Sequence, residues 1–298
     1  MLKDRPAPVR AAAAPAALAL VLALRATALA ATPAAGPAPA APQPGAAPQA
    51  AAPVTPETVP VTTSRGAFDL VVYAPRPPAP AGAPADSKPV VLLVSGEGGW
   101  KSFDVLLSQI LSDEGYWVGG VDAKAYFWDP QDDRGLLAAD IRSFATALQK
   151  AAGRPGGGPL ILAGYSFGAD LAPWIGGAAG WGGRVKGLLL IGPDENGSLA
   201  FRYTEMIGIK YKDHAFSVTE ALKSSAGIPT VFIHGSKDGW SKAPELHEAT
   251  SEPKKLIVIP DATHHFGGHQ EELRSALRQG MEWLTGPRGA ADARGSGR

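Results

Sequence analysis

From residue 68 to residue 284 the chain alternates apolar runs of five or six residues with longer stretches in which apolar side chains recur every three or four positions. Unbroken apolar runs suit strands covered on both faces, and the three-to-four spacing suits helices lying on those faces. The pattern predicts an α/β fold: a mostly parallel central sheet with helices on both faces. Predicted strands are Phe68–Tyr73, Val90–Ser95, Trp117–Val121, Leu160–Gly164, Gly187–Ile191, Thr230–His234 and Lys255–Ile259. Predicted helices are Phe103–Ser112, Leu136–Ala151 and Glu271–Leu284. The stretch Gly192–Gly227, with Phe201, Tyr203 and Tyr211 among charges, is read two ways. It is either an edge strand plus a lid, or an ordinary connection containing one helix, Val218–Ser225.

The N-terminal end reads differently. Lys3, Arg5 and Arg10 precede an Ala/Leu run from Ala11 to Leu24, and Ala28-Leu29-Ala30 has the small residues of a cleavage site. Residues 1–30 therefore read as a cleaved secretory signal, since the run is short for a membrane span and is closed by Arg25. Residues 31–60 hold 11 Ala and 9 Pro with Glu57 the one charge, a composition expected for a disordered spacer. Residues 61–286 are the folded domain, and 287–298 a Gly/Ala/Arg-rich flexible tail. That domain carries 21 basic and 25 acidic side chains, net −4, so bulk charge gives no footprint for nucleic acid. The sequence has no Cys, which excludes disulfides, thiolate metal sites and a cysteine nucleophile.

The strand Leu160–Gly164 runs into Gly164-Tyr165-Ser166-Phe167-Gly168 and then an apolar, helix-like stretch. A serine between glycines two before and two after, placed between a strand and a helix, is the pattern of a nucleophile elbow. A serine hydroxyl needs a base, and the base an orienting carboxylate, following in the order serine, acid, histidine. Asp238 follows the strand Thr230–His234, and His264 and His265 follow the strand Lys255–Ile259. His264 is read as the base with His265 its rival, and Asp238 as the acid with Asp194 its rival. A metal site from His264, His265 and His269 is the other reading; no helical i, i+4 pair supports it. Oxyanion donors are expected from the backbone N–H of Phe167 and from Glu97 or Gly98 in the loop Ser95-Gly96-Glu97-Gly98-Gly99-Trp100. Trp100, Asp170 and His265 are expected to line the substrate pocket. Asp170 lies four residues beyond Ser166, on nearly the same helix face. This chemistry requires no metal or organic cofactor.

The glycine-tryptophan loop, Gly120-Val121-Asp122 with Tyr126-Phe127-Trp128, the extended serine motif through Asp170 and Pro173, and His264-His265-Phe266 resemble the bacterial virulence protein VirJ (AcvB/VirJ) family of the α/β-hydrolase superfamily. The resemblance spans about residues 88–285. It implies an α/β-hydrolase fold and a periplasmic serine hydrolase of aminoacyl-phosphatidylglycerol, chiefly the lysyl form, met at the membrane surface. Two features depart from the family: Glu97 stands where Asp is usual, and cysteines often found around 230–246 are lacking. The alternatives are a generic periplasmic carboxylesterase and a noncatalytic binding or secretion-accessory protein that kept the fold.

Overall fold

A computed structural model describes residues 55–76, 88–201 and 213–286. The signal and tail segments, the spacer up to residue 54, and Tyr203 and Tyr211 lie outside the described residues.

Ten strands and seven helices follow one another as β1 (Glu57–Thr63), β2 (Gly66–Tyr73), β3 (Val90–Val94), α1 (Ser102–Asp113), β4 (Val118–Val121), α2 (Ala123–Tyr126), α3 (Arg134–Ala151), β5 (Leu160–Tyr165), α4 (Phe167–Gly176), β6 (Val185–Ile191), β7 (Asn196–Ser198), β8 (Ala215–Ser217), α5 (Val218–Ser224), β9 (Thr230–Gly235), α6 (Ala243–Ala249), β10 (Lys254–Ile259) and α7 (Gln270–Thr285), as described. Eight strands form one sheet in the order β1-β2-β4-β3-β5-β6-β9-β10. The β1–β2 and β2–β4 pairs are antiparallel and all pairs from β4 to β10 are parallel. The seven predicted strands and three predicted helices are all present, with ends displaced by one or two residues.

The apolar runs are continuous because successive side chains feed two different cores. On β3, Val90, Leu92 and Val94 pack with helices α3 and α4, whereas Val91 and Leu93 pack with α1 and α7. The same alternation on β5 sends Leu160 and Leu162 one way and Ile161 and Ala163 the other. Each such fully buried side chain contributes about 1.5–3 kcal/mol relative to exposure, so the middle of the sheet anchors the fold. Helix α7 shows the complementary logic: Leu273, Ala276, Leu277, Met281 and Leu284 form one buried stripe, and its other face is polar.

One expectation is corrected. The spacer reading ran too far, because residues 57–60 belong to β1. This strand pairs on one side only, with β2, and mostly exposed residues carry it, so its sequence lacks an apolar run. Pro60 is tolerated because an edge strand need not donate from every residue. The stretch Gly192–Gly227 meets, in its described part, the reading of a connection with one helix, and no strand of that part joins the main sheet. Its described part is a separate antiparallel pair, β7 with β8, followed by α5. Helix α6 also went unread: only Ala243 and Leu246 are buried, too few for a periodic signal.

The chain passes from β3 to β4 on one side, then crosses back to β5 on the other. Ligands of open α/β sheets bind beyond the carboxyl ends of the strands at such a reversal. The loops after β3, β5, β9 and β10 all leave from that end.

Candidate active site

The elbow after β5 is built by backbone contact. A Cβ on Gly164 would lie 2.1 Å from the Gly168 carbonyl, and one on Gly168 would lie 2.1 Å from the Val94 carbonyl oxygen. The two glycines are what allow β3, β5 and the start of α4 to approach this closely. Between them Ser166 takes φ 51° and ψ −116°, strained for a residue with a side chain. Its N–H donates to the Ile191 carbonyl at 2.8 Å, and its carbonyl accepts from Ala169 and Asp170, which pins the turn to β6 and α4. Replacing Gly168 by alanine should destabilise the protein by on the order of 3 kcal/mol or more, read by denaturant unfolding, since the obstructing atoms are backbone.

Asp238, after β9, divides its carboxylate between two tasks. Oδ1 accepts the N–H groups of Trp240 and Ser241, each at 3.0 Å, and Oδ2 lies 2.8 Å from His264 Nδ1. One oxygen thus fixes the turn while the other meets the histidine. Burial alone would raise its pKa, but the His264 hydrogen bond and charge, with the Ser241 and Trp240 N–H groups, outweigh it and hold the carboxyl below its ordinary value. An ionised carboxylate only accepts, so His264 carries its proton on Nδ1 and presents the Nε2 lone pair. Nε2 lies 3.0 Å from Ser166 Oγ, which donates to it. The imidazole is held between Tyr165 and Trp240, each ring centroid 5.2 Å away. Gly192, at φ 62°, leaves room for it: a Cβ there would lie 3.1 Å from the ring.

The adjacent histidine points elsewhere. His265 Nδ1 is 2.7 Å from the Tyr165 hydroxyl, which also reaches the His264 carbonyl at 3.3 Å. Burial and then the neighbouring His264 lower the His265 pKa, favouring the neutral ring. The Asp194 N–H donates to Asp170 Oδ1 and the Asp194 carboxylate accepts the Glu195 N–H, whereas it is Asp238 that meets His264 Nδ1. His264, His265 and His269 do not converge; among the described residues no group of three metal-ligating side chains does.

A cavity of about 830 Å³ opens over Ser166 and His264, with Glu97, Gly98, His265 and Trp240 in its lining. Phe103, Tyr165 and Phe266 add aromatic wall, with Phe103 stacked on Phe266 and tilted against Tyr165. The glycine loop closes through a bond from the Gly99 N–H to the Gly96 carbonyl, with Glu97 and Gly98 at the turn. Phe167 opens α4, where a first-turn N–H has no partner within the helix.

Two pocket expectations fail. Trp100 does not line the cavity; its ring lies over Gly120, where a Cβ would sit 2.0 Å from it, and it packs with the core of the α1 face. Asp170 does not line it either: it is 5% exposed and its carboxylate anchors the Asp194 backbone. Helical spacing puts Asp170 near Ser166 along α4, but the serine stands on the turn outside the helix. Sequence reading missed Tyr165, Trp240, Phe103, Phe266 and Asp104. Of these Tyr165, Phe266 and Trp240 had a signal, standing in or beside the motif residues.

Solved structures share this architecture at low identity. The esterase domain from a Rhodothermus marinus protein superposes with a TM-score of 0.54 at 16% identity, covering 78% of this chain and all of that one. Dienelactone hydrolase from Anabaena variabilis gives 0.54 at 17% identity, covering 78% and 98%. Est1E from Butyrivibrio proteoclasticus gives 0.53 at 15%, covering 76% and 98%. At such identities the likeness is one of fold, and the fold is that of the α/β hydrolases. Among curated proteins, the uncharacterized protein YfhR of Escherichia coli K12 is 36% identical over 55 residues, which span only 19% of its length and 17% of this chain. The sequence pattern of one family extends over the sheet, the elbow and the histidine loop alike, from residue 88 to residue 284, and the chain belongs to that family, the bacterial virulence protein (VirJ) family.

Proposed function

We propose that the chain is an exported serine hydrolase that cleaves an ester, with aminoacyl-phosphatidylglycerol, chiefly the lysyl form, as its substrate class. The observation that carries the hydrolase reading is the continuous chain of hydrogen bonds from Asp238 through His264 to Ser166. Ser166 Oγ attacks the ester carbonyl carbon as its proton passes to His264 Nε2. The carbonyl oxygen, now negative, is held by the N–H groups of Phe167 and of Glu97 or Gly98. Collapse breaks the bond to the leaving alcohol, which takes the proton from Nε2, and the acyl group stays on Ser166. A water molecule then gives its proton to His264 and attacks the acyl carbonyl, releasing the carboxylic acid and restoring the serine.

The lipid reading rests on the cavity and on the family resemblance. Glu97 in the lining offers a carboxyl to an ammonium group beside the scissile ester, and aromatic walls offer ring faces. Trp240, 69% exposed in this lining, is of the residue type that settles at lipid–water boundaries. Asp170, expected from sequence to line the pocket, has no part here. No helix among the described residues is long and apolar enough to cross a membrane.

The test is kcat/KM for lysyl-phosphatidylglycerol and for a short nitrophenyl ester in the parent and in Glu97→Gln. The expected result is a loss of about tenfold on the lipid, equivalent to roughly 1.4 kcal/mol, and little change on the neutral ester. Equal losses on both would remove Glu97 from substrate recognition. Turnover of the neutral ester alone would favour a generic carboxylesterase, and no labelling of Ser166 by a fluorophosphonate would favour a noncatalytic protein.

A further inference from the structure

We propose that Asp104, buried in the first turn of α1, is the positioning residue that sets the glycine loop for oxyanion binding, and that it does so only as the carboxylate. The inference rests on the hydrolase reading above and concerns a residue outside the Ser166–His264–Asp238 chain. Asp104 is 2% exposed and borders the same cavity. Its Oδ2 accepts the Lys101 N–H at 2.9 Å and its Oδ1 accepts the Gly96 N–H at 3.3 Å. One side chain thus ties both ends of the segment that contains Glu97 and Gly98. Gly96 is held from its other side as well, where a Cβ would lie 3.0 Å from the Tyr165 ring. The loop is clamped between the carboxylate and the residue that precedes Ser166, so a shift at Asp104 moves the loop donors relative to Ser166.

Both oxygens accept from backbone N–H groups, and a protonated carboxyl has a donor where one of those N–H groups needs an acceptor. Protonation therefore releases one end of the loop. The titratable and charged groups facing Asp104 are Asp122 beyond β4, Tyr73 on β2 and Tyr165 on β5, with Lys101 at the cap of its own helix. Burial is the main influence, offset in part by the N–H bonds from Lys101 and Gly96 and reinforced by Asp122, and it brings the pKa up to about 6. The sign follows: the carboxylate predominates above that pH and is lost below it, so the loop loosens on the acid side. A displacement of the order of 1 Å in a donor costs about 100-fold in rate.

The experiment measures log(kcat/KM) against pH for the full chain on a neutral nitrophenyl ester, in the parent and in Asp104→Asn, with circular dichroism at each pH. If only the histidine base must lose a proton, the acid limb has a slope of one; a second group that must be ionised makes it two. The expected result is an acid limb that steepens to a slope of two below about pH 6 in the parent and stays at one in Asp104→Asn. The variant should also show kcat lowered about 100-fold near neutral pH with KM little changed. A parent slope of one, or a variant with the parent's kcat, overturns the proposal. Should the variant fail to fold, the parent's slope decides alone. Labelling of Ser166 by a fluorophosphonate separates the two levels: labelling with a slope of one sinks the role of Asp104 only, whereas no labelling and no turnover sinks the hydrolase reading and this inference with it.

Discussion

Ser166→Ala should lower kcat for ester hydrolysis by about four to six orders of magnitude while leaving the protein folded. The size follows from what is removed. Without Oγ there is no atom to form the acyl intermediate, and what survives is the smaller acceleration from binding and oxyanion donors acting on water. The fold should be spared for an equally concrete reason. Alanine keeps the Cβ that the strained turn already accommodates, and the hydroxyl's hydrogen bond is to His264 rather than to the scaffold. Unfolding free energy should stay within about 1 kcal/mol of the parent. Steady-state kinetics beside a denaturation curve checks both halves. Parent-like turnover in the variant would end the assignment of Ser166 as nucleophile.

His264→Ala should match that loss, and the double variant Ser166→Ala/His264→Ala should be no worse than either single one. Residues that act as one unit are not additive: once the nucleophile is gone there is no proton for the base to take. His265→Ala is the control. Its ring meets Tyr165 rather than Ser166, and the Tyr165 hydroxyl keeps the His264 carbonyl as a partner, so activity should remain within about tenfold of the parent. Kinetics of the four proteins on one ester decide it. If His265→Ala fell with Ser166→Ala while His264→Ala stayed active, the base would be reassigned to His265.

The legible parts of this chain were those written in short-range pattern. Strands β3, β5, β6 and β9 lie in the middle of the sheet, where both faces are covered, so the central stretch of each is apolar. The elbow was legible because two close backbone approaches leave room only for glycine at 164 and 168. Strand β1 and helix α6 were not, because an edge strand and a short surface helix bury too few side chains to impose a period.

The α/β class, the serine at its elbow, and the carboxylate and imidazole at the ends of particular strands were readable from the sequence, since each follows from local spacing and chain order. Tertiary structure alone decided which of two adjacent histidines meets the serine, because neighbouring loop residues point apart by an amount that depends on backbone torsions and packing. It alone removed Trp100 and Asp170 from the pocket: one ring was drawn onto the bare backbone of Gly120, and one carboxylate was claimed by the Asp194 N–H. It alone brought in Asp104, whose importance lies in two hydrogen bonds to a loop and in burial that raises its pKa. Burial, partner and orientation are set by residues far apart in the chain, and a linear pattern of residue types carries no record of them.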